Sequence, residues 1–211
     1  MTTGPALAPD PTTDRPGGTV GASRRTALVI LVTGIIGWLA SFELTVDDWR
    51  ILRDPSYQPA CNISPIVNCG SVMSSPEGRL FGFPNMLLGL GAYAAVITLA
   101  VAVLSGSRLH RRLWLALDAG ALVGVVFVHF LIVQSLYQLN KICPYCVVIW
   151  VITIALFWFV TLHCLEQGIV KAPRGVLTVL RDTHWMLLGA WYGVIALLIG
   201  TRFWDYWSSL L

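Results

Sequence analysis

Residues 143–162 read CPYCVVIWVITIALFWFVTL, and this stretch decides the fold. After Cys146 no side chain in it is charged, and as a helix of about 1.5 Å per residue it reaches ~30 Å, the hydrocarbon thickness of a bilayer. Pro144 suits a first helical turn, where its missing N–H costs nothing. Cys143 then stands where free backbone N–H groups and the positive end of the helix dipole favour a thiolate. A C-x-x-C pair alone also fits half of a zinc knuckle or a soluble redox fold. Here no βαβ pattern flanks it and the apolar run follows at once, which puts a redox centre at a membrane surface.

The rest of the chain agrees. Of 211 residues, 56% are hydrophobic and 12% charged, with mean hydropathy +0.72; soluble domains average about 45–50% apolar and about 25% charged. An ordinary soluble protein and a disordered chain are excluded, and long alternating segments for an outer-membrane barrel are lacking. An all-α integral membrane protein remains, with room for about five crossings. The net charge of +3 is small and scattered, and no basic–aromatic face for nucleic acid occurs.

Expected spans are Thr26–Leu44, Phe83–Leu104, Leu113–Leu136, Pro144–Leu162 and Trp185–Arg202. Residues 1–23, rich in Pro, Gly and Thr, read as a disordered cytoplasmic tail, residues 24–204 as the five-helix domain, and 205–211 as a short external C-terminus. The polar stretch of about 45–80 reads as an outer loop. With the N-terminus inside, the cytoplasmic parts hold 9 of the 14 Lys and Arg residues (Arg15, Arg24, Arg25, Arg108, Arg111, Arg112, Lys171, Arg174, Arg181), the direction of the positive-inside rule. The loop and the 138–146 connection then face outward, on the oxidising side of an inner or plasma membrane.

Four of the five cysteines, Cys61, Cys69, Cys143 and Cys146, fall on that outer side, and Cys164 falls alone at the inner end as a reduced bystander. Cys61 and Cys69 could close a small ring, either a loop staple worth ~2–3 kcal/mol or a disulfide meant for exchange. A zinc site built from all four cysteines is a further reading, though the nine-residue span from Cys61 to Cys69 is not a knuckle spacing and no His is near in sequence. His129, two turns inside the third span, is a candidate proton relay or a neutral interhelical hydrogen-bonding group.

The order of motifs resembles the bacterial branch of the vitamin K epoxide reductase family: a loop cysteine pair with seven residues between (Cys61, Cys69), serines in VMSSPEG (72–78), FGFPN (81–85) entering the second span, and C-P-Y-C opening the fourth. The resemblance covers residues 30–165 or so. It implies a four-helix bundle around a quinone pocket, with Cys146 reacting with the quinone, Cys143 exchanging with Cys69, and Cys61 meeting the thiol partner. Asn85 matches the asparagine that bonds a quinone oxygen, and Ser75 the family's Ser/Thr position. Met73 and Trp150 join the quinone-contact set, Trp150 standing where the vertebrate branch has tyrosine.

The implied activity is that of a thiol:quinone oxidoreductase. It would reoxidise a thioredoxin-like disulfide-forming protein outside the cytoplasm and reduce a menaquinone-like quinone. Many bacterial members continue into a thioredoxin-like domain; this chain ends at Leu211, so the expected partner is a separate polypeptide. The alternatives are reduction of a vitamin K epoxide through the same cysteines, and a membrane scaffold with structural disulfides.

Overall fold

The computed structural model describes residues 18–208. Its helices are α1 (Arg24–Arg53), α2 (Cys69–Met73), α3 (Met86–Leu104), α4 (Arg111–Val133, continued by a π-helical segment Gln134–Leu139), α5 (Pro144–Glu166), α6 (Arg174–Arg202) and α7 (Trp204–Ser208), with a two-residue antiparallel pairing of β1 (Thr19–Val20) and β2 (Leu109–His110). Five of them, α1, α3, α4, α5 and α6, are long and apolar enough to cross a membrane. Their outward faces leave Val123 68% and Leu197 65% exposed. Water would penalise such surfaces and lipid tails cover them.

Packing runs α3 on α1, α1 on α5 and α5 on α4, with α6 leaning on α5 from outside. α1, α3, α4 and α5 thus form a bundle that is loosest between α3 and α4. Small residues set the tightest crossing: a Cβ on Gly37 would lie 2.5 Å from the Tyr93 ring, so α3 approaches α1 only because that Cβ is missing. Thr153 gives its proton to the Ile149 carbonyl (2.6 Å). The Tyr93 hydroxyl therefore donates to Thr153 Oγ1 (2.7 Å), tying α3 to α5.

The structure corrects several sequence boundaries. α1 runs to Arg53 rather than stopping near Leu44, so the loop proper starts at Asp54. In the extra turns the two acids are buried and partnered: Asp47 accepts from the Tyr57 hydroxyl (2.8 Å) and Asp48 pairs with Arg79 (2.7 Å). The third span continues to Leu139 as a π-helical segment, and Asn140 ends it with φ 52°. Arg202 Nε donates to the Leu136 carbonyl (3.0 Å) and its guanidinium also binds Asn140 Oδ1. α6 starts at Arg174, eleven residues before the apolar window, because its first turns are helical yet carry Arg181, Asp182 and His184.

Residues 18–23 are also not loose. Trp114 Nε1 donates to the Val20 carbonyl (3.1 Å), and β1 pairs with β2. The tail expected to be disordered is therefore ordered from at least Gly18, and residues 1–17 lie outside the described residues, as do 209–211.

Candidate active site

Backbone pairing brings the distant cysteines together. Cys61 and Cys69 form a disulfide with Cα atoms 5.7 Å apart. Within its ring the Ile63 amide bonds the Val67 carbonyl (2.9 Å), which turns the chain back. Val67 then forms a parallel bridge with Ile142: Ile142 N donates to Ile66 O (2.8 Å) and Asn68 N to Ile142 O (2.9 Å). Asn68 caps α2 by accepting from the Ser71 amide (2.8 Å), so Cys69 opens a helix two residues past the bridge. Cys143 opens another one residue past it. Lys141 Nζ adds a bond to Ser71 Oγ (2.7 Å).

Cys61 (6% exposed), Cys69 (0%) and Cys143 (0%) consequently share one buried cluster with Leu44, Met73 and Met86, and Cys146, Tyr145 and Ile149 pack against it. Cys146 also packs against a second cluster that holds Trp150, Ile132 and Leu136. It alone of the four links the loop disulfide's surroundings to the bundle interior, because Cys146 and Trp150 are one helical turn apart on α5.

Cys143 is the N-cap of α5, and its sulfur accepts from the Cys146 amide (3.4 Å). A hydrogen bond from the Cys146 thiol, helped by the Cys146 and Tyr145 amides, holds the Cys143 thiol below the ordinary thiol range, against the opposing effects of burial and of the Asp47 charge. A thiolate here is both an attacking group and a good leaving group.

The other residues singled out from the sequence fall in distinct places. Met73 is in the cysteine cluster. Ser75 is buried and caps the 3-10 turn Pro76–Arg79: its hydroxyl donates to Val72 O (2.8 Å) and accepts from Gly78 N (3.1 Å). Asn85, just before Met86 of that cluster, clamps the same turn: Nδ2 donates to Glu77 O (2.6 Å) and Oδ1 accepts from Leu80 N (3.2 Å). One of its two amide protons is left over. His129 is not in the cysteine cluster. Its Nε2 accepts from Trp191 Nε1 (2.9 Å), which makes it the neutral Nδ1–H tautomer, and Nδ1 donates to the Val125 carbonyl (2.8 Å). Both nitrogens are thus engaged, and the ring links α4 to α6.

The turn clamped by Asn85 also roofs an apolar cleft of about 550 Å³ against α4, lined by Leu80, Leu122, Val123, Val126, Phe127 and Phe130. Phe81 extends this roof, its ring 5.9 Å from Phe127 and 6.2 Å from Phe83. Residues 28–161 match the Vitamin K epoxide reductase family. The chain belongs to that family. As a member it is a membrane oxidoreductase that works through cysteines.

Sequence reading alone missed residues that hold this cysteine cluster in place. Ile142 acts through its backbone, which no side-chain motif reports. Asp48 and Arg79 are 31 positions apart, and the only signal was their charge in a chain with few charges.

Proposed function

We propose that this protein oxidises the dithiol of a thioredoxin-like protein outside the cytoplasm and delivers the electrons to a quinone dissolved in the membrane. The observation that carries the proposal is the single buried cluster uniting Cys61, Cys69 and Cys143, with Cys146 bridging to the bundle interior. The N-terminus is cytoplasmic and the cysteine end external in this reading, as the Lys/Arg distribution favours.

A partner thiolate attacks Cys61 in the Cys61–Cys69 disulfide, forming a mixed disulfide and releasing Cys69. The partner's second thiol then attacks that mixed disulfide, leaving the partner oxidised and both loop cysteines reduced. Cys69 next attacks Cys143 in a Cys143–Cys146 disulfide, expelling the Cys146 thiolate. Cys61 resolves the Cys69–Cys143 bond, so the loop disulfide returns and Cys143 and Cys146 hold two electrons. Re-forming the Cys143–Cys146 disulfide passes those electrons to the quinone. Because Cys61 is only 6% exposed, the first attack requires the 61–69 segment to swing out, breaking the two backbone bonds to Ile142.

Asn85 serves the acceptor side with its free amide proton, which would meet charge developing on a quinone oxygen in a dry site. Trp150 and Met73 flank Cys146, while Ser75 holds the turn that positions Asn85. The cleft beside Leu80 falls in the ~300–1,000 Å³ range of small-molecule sites and suits an isoprenoid tail. The test is quinone reduction by purified protein supplied with a reduced thioredoxin-like protein. Cys61→Ala abolishes electron entry, and Cys146→Ala stops electrons before the quinone while Cys69 still exchanges with Cys143. Wild-type quinone turnover in Cys146→Ala contradicts the proposal.

A further inference from the structure

A quinone has two oxygens, and Asn85 accounts for one of them. Reduction places charge on both, so a donor at the second oxygen also favours the reaction in a dry site. A para-quinone carries its oxygens on opposite edges of the ring. With one oxygen at Asn85, where α3 begins, the other falls deeper in the bundle.

Ser41 of α1 is wholly buried (0% exposed), and its hydroxyl has no hydrogen-bond partner among the described residues. A helical hydroxyl commonly bonds the carbonyl four residues back. Thr33, Thr45, Thr98 and Thr153 all do so here, and Ser41 does not. A buried donor left without an acceptor costs free energy. Packing alone gives no reason for it, because alanine would fill nearly the same space without that cost.

Helix register places Ser41 at the required depth. Leu44, three residues on along α1, and Met86 of α3 both belong to the cysteine cluster. Ser41 is one turn deeper on α1, and it faces Gly89, one turn deeper than Asn85 on α3: a Cβ on Gly89 would collide with Ser41 Oγ. A further turn down, the Tyr93 ring lies on Gly37 and its hydroxyl bonds Thr153. Ser41 thus stands between the cysteine cluster and the Tyr93–Thr153 crossing, in the layer directly beneath the sulfurs.

The other donors near this layer are committed. Tyr93 gives its proton to Thr153, and Thr153 gives its own to the Ile149 carbonyl. The Ser75 hydroxyl is spent on the 3-10 turn, and His129 bonds Val125 and Trp191.

We propose that Ser41 is a binding residue for the quinone, its hydroxyl donating to the deeper oxygen while Asn85 donates to the outer one. The inference rests on the quinone reading above. One helical turn, ~5.4 Å, separates the two donor levels, a span comparable to that between the oxygens of a para-quinone. The ligand class that fits is therefore a quinone with oxygens at both ends of the ring.

The experiment follows menadione reduction by the full chain in lipid nanodiscs, with dithiothreitol as reductant, for wild type and Ser41→Ala; the rate of Cys146→Ala is subtracted as background. Alkylation of Cys143 and Cys146 in the same samples reports thiol exchange separately, and thermal unfolding without quinone reports stability. One net hydrogen bond is worth up to about tenfold in affinity, so Ser41→Ala lowers kcat/KM for menadione roughly 5- to 10-fold. Thiol exchange is unchanged, and the midpoint without quinone is unchanged or raised, because an unpaired buried hydroxyl has been removed. Wild-type kcat/KM in Ser41→Ala overturns the assignment and leaves the quinone reading standing. A lowered midpoint without quinone also overturns it, since the hydroxyl then holds the helices together. Wild-type protein whose cysteines exchange but which reduces no menadione overturns both.

Discussion

Removing Arg79 unfastens from α1 the turn that Asn85 clamps, and the cost can be worked out from the ion pair. Arg79 Nη2 lies 2.7 Å from Asp48 Oδ1, with the arginine side chain 33% exposed and the aspartate 5%. Breaking a fully buried pair costs about 3–5 kcal/mol, and an exposed pair is worth at most about 1 kcal/mol. With one partner dry and the other a third wet, Arg79→Ala should cost about 2 kcal/mol, the range of a charge-assisted hydrogen bond. At roughly 2–4 °C per kcal/mol for a chain of this size, the midpoint falls by about 4–8 °C. Much of that is the charge stranded on Asp48, so the Arg79→Ala/Asp48→Asn double variant regains about half of the loss. Thermal unfolding in detergent, followed by tryptophan fluorescence, measures both. A double variant less stable than Arg79→Ala, or an Arg79→Ala protein with an unchanged midpoint, refutes the reasoning.

Other expectations follow from single contacts. Gly37→Ala forces a Cβ to 2.5 Å from the Tyr93 ring and should destabilise by about 1–3 kcal/mol through overpacking, seen as a lowered midpoint in the same assay. Ile142→Pro deletes the amide that holds Ile66; dithiothreitol then reduces the Cys61–Cys69 disulfide faster than in wild type. His129→Gln weakens the link to Trp191 at a cost of about 0.6 kcal/mol and leaves the pH profile of quinone reduction unchanged, whereas a relay histidine would alter it. In Cys146→Ala the thiol that donates to Cys143 is gone, so alkylation of Cys143 moves to higher pH. Cys143 ionises below its ordinary value in the folded dithiol protein. Its contribution to stability is therefore complete above the ordinary thiol range and is lost as pH falls through the lowered value.

The bundle was legible because membrane insertion leaves its mark on composition: five apolar windows announced five helices. Their ends were not, because polar turns continue a helix wherever partners exist. Asp47 and Asp48 look like loop residues until Tyr57 and Arg79 are seen to bind them. Arg181 to His184 likewise look like a linker until they prove helical. At the site, the C-P-Y-C motif could be read because capping by Cys143 is local chemistry. The approach of Cys69 to Cys143 came only from the family resemblance and not from the residues themselves, since it depends on main-chain bonds of Ile142 that any residue but proline would make.

The central claim, that the loop sulfurs hand electrons to the helix-cap sulfurs, is tested most directly by a Cys61→Ser/Cys146→Ser double variant in native membranes. That protein keeps only Cys69 and Cys143 of the four. After mild oxidation with diamide, mass spectrometry of its peptides should show a Cys69–Cys143 disulfide, with Cys164, buried at the other end beside the Trp114 carbonyl, still free. Cys69 and Cys143 recovered as separate thiols, or joined to any other cysteine, contradict the account.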